Sequence, residues 1–161
     1  MNMDLRFELL IAAKLLLSLV LGCIIGFERE TSHKDAGIRT FGAITLASCL
    51  FVAIASHLTD DKSAIARMLA AIATGLGFIG AGLSFKDKSN SLLGLTTSSA
   101  LWATAAIGSA VALNMYVLAI FSTVLIYFLL SLSKFNWYKK MIENSFSEKQ
   151  GEDDGKNNKL E

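Results

Sequence analysis

The chain has 161 residues, enough for one domain, with 53% apolar residues, only 18% charged residues and a formal net charge of +1. The apolar residues are gathered in long blocks between short charged clusters, which excludes an ordinary soluble domain and is the pattern of a polytopic membrane protein. No basic patch with interleaved aromatics is present, so nucleic acid is not an expected partner.

Five apolar segments are expected to span a membrane as helices, at about 9–27, 36–56, 64–85, 91–113 and 115–135. Each is roughly 20 residues, the length that crosses ~30 Å of hydrocarbon at 1.5 Å per residue. Proline is absent, so glycine must do any bending. The first segment contains Lys14, near enough to one end to snorkel. Asp4 and Glu8 oppose Arg6 ahead of it, which argues against a cleaved signal peptide. Cys23 and Cys49 lie inside apolar segments and read as small hydrophobes rather than a disulfide framework. Asn114 marks a tight turn that makes the fourth and fifth segments antiparallel neighbours.

Five spans put the termini on opposite sides. One side carries Arg29, Lys34, Arg39, Lys86, Lys88, Lys134, Lys139 and Lys140; the other carries Arg6, Lys62 and Arg67. The side richer in positive charge is the cytoplasmic one, so the N-terminus is expected outside and the C-terminus inside. Trp137 and Tyr138 fall where an aromatic belt would sit. The membrane domain is thus expected over 1–138, and the polar stretch 139–161 as a disordered cytoplasmic tail.

Residues 74–82 read TGLGFIGAG, in which Gly75, Gly77 and Gly80 fit the G-x-G-x-x-G fingerprint of dinucleotide-binding domains. That fingerprint needs a strand before it and an acid about 20 residues after it. The approach is alanine-rich and helical in pattern, and no acid follows at that distance, so no nucleotide cofactor is expected. Read as a helix, Ala66, Ala70, Ala73, Gly77, Gly80 and Ser84 form a stripe of small residues with a period near 3.5. Thr96, Ser99, Ala103, Ala106 and Ala110 form a matching stripe in the fourth segment. Two such seams allow close helix approach in lipid. In the first segment Ser18, Gly22 and Gly26 recur every four residues, the small-xxx-small arrangement. Gly75, Gly77, Gly80 and Gly82 together exceed what packing needs, so tight packing and a hinge or unwound stretch both stay open.

Glu28, Arg29 and Glu30 crowd the end of the first span, and Arg39 and Thr40 open the second from the same side. A carboxylate near the membrane boundary needs a partner, and a Glu28–Arg39 ion pair across the short loop is the expectation. Thr96, Thr97, Ser98 and Ser99 open the fourth span; they can cap the helix, bond to neighbouring helices or line a solute path, with the Trp102 indole nearby. No catalytic constellation is present. His33 and His57 fall on opposite sides in this topology, no cysteine stands at metal spacing, and Asp60-Asp61 reads as a solvated pair. No enzyme activity, metal site or cofactor is expected.

The stretches LGCIIGFERE, AGIRT, GLGFIGAGLSF and GLTTSSALWATAAIG, in that order over about residues 15–130, resemble the hydrophobic domain of the MgtC/SapB family of bacterial membrane proteins. The family's G-x-E-R-E pattern falls on Gly26, Glu28, Arg29 and Glu30, and its A-G-x-R-T on Ala36, Gly37, Arg39 and Thr40. Its glycine-rich motif falls on Gly75, Gly77, Phe78, Gly80, Ala81 and Gly82. Its G-L-T-T motif falls on Gly94, Leu95, Thr96 and Thr97, followed by Leu101 and Trp102, with Ser98 in the place of an alanine. The resemblance implies a multi-pass protein of the bacterial inner membrane, associated with low magnesium, life inside host cells and acid stress. It implies a regulator rather than a pump, for which inhibition of the ATP synthase through membrane contacts has been proposed. Two departures stand out. The arginine that often precedes the G-L-T-T motif is missing from the run Ser89 to Leu93. The cytoplasmic C-terminal domain of many members is not expected from the polar stretch that follows the last span, so functions of that domain are not carried over.

From these readings the chain is expected to be an all-α bundle of five transmembrane helices that self-associates through its small-residue seams. The leading function is regulation of ion or energy homeostasis by contact with another membrane complex. The alternative is a small channel or transporter using the third and fourth spans as a path.

Overall fold

A computed structural model describes residues 5–86 and 92–135. Trp137, Tyr138 and the expected tail lie outside the described residues. The architecture is an all-α membrane bundle of five helices: α1 (Leu5–Thr31), α2 (Ile38–Leu58), α3 (Lys62–Leu83), α4 (Leu95–Ala112) and α5 (Tyr116–Ser131). Helices α1, α2 and α3 are each long and apolar enough to cross a membrane. Helix α4, with 18 residues, reaches ~27 Å at 1.5 Å per residue, close to the hydrocarbon thickness. Helix α5 has 16 residues and passes into the 3₁₀ turn Leu132–Lys134.

The helix ends fall where local chemistry puts them. The expected third span stops two residues early, at Leu83, and the fourth begins at Leu95 rather than 91. Between them the short strands β1 (Phe85–Lys86) and β2 (Leu92–Leu93) pair antiparallel, Phe85 opposite Leu93. Gly94 then starts α4 in the left-handed region, φ 81°, where an added Cβ would run into the Leu83 carbonyl. A glycine, and none of the following hydroxyls, therefore occupies the N-cap.

Helices α1 and α4 both end in a Schellman-type closure on a left-handed residue that is not glycine. At α1, Lys34 N–H donates to Arg29 C=O at 3.1 Å with His33 at φ 53°. At α4, Met115 N–H donates to Ala110 C=O at 2.9 Å with Asn114 at φ 63°, which makes the expected tight turn. Asp61 caps α3, its Oδ1 accepting from Ser63 N–H at 2.8 Å.

The chain divides into two compact units, Met1–Tyr127 and Phe128–Glu161. In the first, α1 packs chiefly on α2, α2 on α4, and α3 on α4. Helix α4 is the centre: 12 of its 18 residues are buried, including every residue from Ile107 to Ala112. Helix α3 is the opposite, with Leu76 its single buried residue. In α5, Ala119 and Thr123 are buried while Val117, Ile120, Phe121 and Val124 are exposed. In the second unit the Phe128 and Phe135 rings meet at 6.5 Å between centroids.

The middle of the α1–α2–α4 contact is closed by absent side chains. A Cβ on Gly22 would collide with Thr45 Oγ1 and lie 2.8 Å from Phe41 C=O, and one on Gly108 would enter the Thr45 carbonyl. Two glycines on different helices thus admit the same turn of α2. The α1 stripe of Ser18, Gly22 and Gly26 lies in this contact, with Gly26 against the backbone of Gly37 and Ile38. The cysteines Cys23 and Cys49 are free thiols, Cys49 fully buried.

Candidate functional site

Contacts between helix ends show which ends gather. Arg29, near the end of α1, meets Thr97 in the first turn of α4, and Glu30 meets Ile38 at the start of α2. Ser84, just past α3, meets Ser98. At the other end, Phe7 of α1 stacks on His57 of α2 with ring centroids 4.6 Å apart, and Lys14 reaches the end of α4. Successive helices α1 to α4 therefore run antiparallel, and the polar motifs at the ends of α1 and α3 and the starts of α2 and α4 converge on one end.

At that end Glu28 is 0% exposed and Arg29 3%, an unusual depth for adjacent charges. Arg29 Nη2 donates to Thr97 Oγ1 at 2.8 Å, and Nη1 lies 3.8 Å from Glu28 Oε2. Ser32 Oγ donates to Glu28 Oε1 at 2.7 Å, one helical turn on. The Arg29 Nε has no hydrogen-bond partner among the described residues. Glu30 does different work: its Oε2 accepts from Ile38 N–H at 3.0 Å and so caps α2 from outside. Gly37 makes room for this, since a Cβ there would lie 2.6 Å from Glu30 Oε2.

The expected Glu28–Arg39 pair is not formed. Arg39 is exposed on the first turn of α2 and makes no ion pair among the described residues, while Glu28 is served by its own neighbour Arg29 and by Ser32. Thr40 is half-buried. The reason is helical phase: Arg39 faces away from the α1–α2 contact that Phe41 enters. Sequence reasoning named Ser98 as a general hydroxyl but not its partners. Its Oγ lies 3.1 Å from both the Gly80 and Gly94 carbonyls and 3.2 Å from Ser84 Oγ, pinning α3 to α4.

The seam expected between α3 and α4 forms in part: Ala73, Gly80 and Ser84 of α3 and Ala106 and Ala110 of α4 lie between the two helices. Gly80 approaches α4, 3.4 Å from Ser98 Cβ, but Gly75, Gly77 and Gly82 face open space, and Ala66 and Ala70 are exposed. On α4, Thr96, Ser99 and Ala106 are exposed too, while the face carrying Thr97, Leu101, Thr104 and Gly108 is buried. Trp102 is about half exposed. Nor does the glycine-rich stretch unwind: α3 is continuous from Lys62 to Leu83. Lys14 does not snorkel; its Nζ donates to Ala112 C=O at 3.0 Å, where the orphan carbonyls of α4 favour a cation.

The buried hydroxyls inside the bundle turn back on their own helices. Thr45 donates to Phe41 C=O at 2.6 Å, Thr104 to Ala100 C=O at 2.7 Å and Ser109 to Ala105 C=O at 2.9 Å. No cluster of three or more metal-type ligands occurs among the described residues. The site is therefore a buried, charged clasp that joins α1, α2 and α4 at one end.

Comparison with known proteins gives this geometry a setting. The family model described as the MgtC family matches residues 15–136. A protein named MgtC from Brucella abortus is 41% identical over 97 residues, 60% of this chain and 40% of that protein. YhiD of Escherichia coli K12 is 35% identical over 124 residues, covering 70% of this chain and 57% of its own length. SrpB of Synechococcus elongatus is 34% identical over 134 residues, 76% of this chain and 72% of its own. The chain thus spans about half the length of several relatives it matches. No solved structure matches the chain.

Proposed function

The chain belongs to the MgtC family of membrane proteins, and from that premise we propose that it is a regulator of magnesium or energy homeostasis in a bacterial inner membrane. It acts by helix contact with another membrane complex and catalyses no reaction. The observation that carries this reading is the closed centre of the bundle. Gly22, Thr45 and Gly108 leave no gap between α1, α2 and α4, and the hydroxyls beside them are spent on their own helices. A path for a hydrated ion needs polar groups facing a cavity. What this chain offers the bilayer instead is apolar helix surface on α3 and α5.

The clasp at Glu28 and Arg29 fixes how those outer helices are presented. Thr97 starts α4, and Ser98 beside it holds α3. The exposed small-residue face of α3 supports self-association, and the ATP synthase is the partner complex that the family resemblance suggests. YhiD, whose name provisionally describes a magnesium transporter, favours the second reading, a transporter.

Reconstituted liposomes separate the two. A regulator gives no Mg²⁺, K⁺ or H⁺ flux above protein-free vesicles, and selective saturable flux would refute this reading. Cross-linking and co-purification from native membranes should then recover a membrane complex with wild type, and lose it when Phe78, 84% exposed on α3, is replaced by alanine.

A further inference from the structure

Every buried polar side chain but one among the described residues takes part in a hydrogen bond. The exception is Ser48 of α2, 3% exposed, whose hydroxyl bonds neither back to its own helix nor to a neighbour among the described residues. An unmet hydroxyl in hydrocarbon is costly. Ser48 lines a crevice of about 390 Å³ between α2 and α3. Ala71 and Gly75, one turn apart on α3, keep it open, and a Cβ added to Gly75 would meet nothing within 4 Å. Phe51, one turn from Ser48 on α2, and Met68 of α3 belong to its apolar wall. Phe51, Ala71 and Gly75 are exposed, so the crevice opens sideways toward lipid.

We propose that this crevice binds the ring of a lipid-soluble quinone, with the Ser48 hydroxyl donating to a ring carbonyl. Depth selects that class of ligand. Ser48 is the middle residue of the 21-residue α2, roughly 15 Å from either end at 1.5 Å per residue. Charged residues mark both ends of this apolar helix, Arg39 at one and Asp60 and Asp61 at the other. Ser48 therefore lies near the middle of a ~30 Å hydrocarbon core. A phospholipid keeps its ester and headgroup oxygens at the surface, so only its methylenes reach that depth. A lone water is no substitute, because a buried water needs about two to four polar partners. No other residue lining the crevice carries a hydroxyl, amide or charged side chain. A quinone dissolves whole in hydrocarbon and brings carbonyl acceptors on a flat ring, which suits the Phe51 ring and the Met68 thioether. A seated ring bridges α2 and α3, so the way α3 is presented follows the ligand.

The test uses the whole chain, purified in detergent and freed of native lipid, with decylubiquinone as the probe. Native mass spectrometry should show a saturable adduct of about one quinone per chain. In infrared difference spectra the carbonyl stretch of bound quinone should lie below that of free quinone in the same detergent, and should return toward it in Ser48→Ala. That variant keeps the crevice but loses one hydrogen bond, so binding should weaken by about threefold to tenfold. Gly75→Leu fills the space and should weaken binding by about tenfold or more. Ala71→Val, a smaller intrusion, should weaken it by an intermediate factor and serves if Gly75→Leu loses helicity. Gly82→Leu, where an added Cβ meets nothing within 4 Å and which lies outside the crevice, should leave binding unchanged. Equal binding by wild type, Ser48→Ala and the filled variants would overturn the proposal, as would an unshifted carbonyl stretch. So would a phospholipid adduct that the quinone fails to displace, or a disulfide between two copies at Gly75→Cys, which would put a second chain in the crevice. None of these outcomes depends on ion flux or on capture of a partner complex.

Discussion

At the scale of single residues the glycines divide by what surrounds them. Gly22 and Gly108 are places where a methyl group meets Thr45, and at Gly108 the obstacle is backbone that cannot step aside. Gly108→Ala should therefore destabilise the chain by about 1–3 kcal/mol, read from unfolding in mixed micelles. Gly77→Ala meets nothing within 4 Å, and should leave stability unchanged or raise it by up to ~1 kcal/mol through helix propensity. If Gly77→Ala keeps stability but loses partner capture, the exposed α3 face is a contact surface. Charge pairing divides in the same way. Thr97→Val removes the acceptor of a buried guanidinium and should cost about 1–3 kcal/mol. A double-mutant cycle of Arg29 with Thr97 should give a coupling of at least ~0.5 kcal/mol, whereas Glu28 with Arg39 should be additive within ~0.5 kcal/mol. The cluster of charges was legible in sequence because three charged residues adjoin an apolar block. The choice of partner was not, because it depends on which way the first turn of α2 faces.

At the scale of elements, the sequence displays lengths better than phases. Spans of about 20 residues announce themselves by composition, and Asn114 announces its turn. Helix α4 defeats periodic reading because every residue from Ile107 to Ala112 is buried, so its small-residue stripe does not single out one neighbour. Helix α3 misleads in the opposite sense: its stripe is real, but Ala66, Ala70 and Gly77 are exposed while Ala73, Gly80 and Ser84 lie toward α4. The loop before α2 shows what a motif can hide. Glu30 and Gly37 act together as a cap supplied from another helix, the carboxylate taking Ile38 N–H while the glycine clears its path. Glu30→Ala should lower stability by about 0.5–2 kcal/mol, with Glu30→Gln recovering part of it, since an amide oxygen can accept but brings no charge to the helix dipole. Equal losses in both variants would mean that the charge, rather than the hydrogen bond, holds α2.

At the scale of the whole molecule, antiparallel succession fixes which loops share a side but not which side is cytoplasmic. Arg29, Lys34 and Arg39 lie at the end where the clasp sits, and Arg6, Lys62 and Arg67 at the other, an even balance in this part of the chain. The expectation that the clasp is cytoplasmic therefore does not follow from these six residues alone, and needs the lysines from Lys86 onward that the sequence adds to the count. Two single-cysteine positions read the outcome directly. Ser63 and Lys34 are exposed at opposite ends, and of the native thiols Cys49 is fully buried, so a Cys23→Ala background suffices. In intact cells a membrane-impermeant maleimide should label Ser63→Cys and spare Lys34→Cys until the membrane is permeabilised. The reverse pattern would place the clasp outside and invert the molecule. Partial labelling of both would show that so even a balance leaves two insertions populated; replacing Lys62 by glutamine should then drive the population to the orientation with the clasp inside.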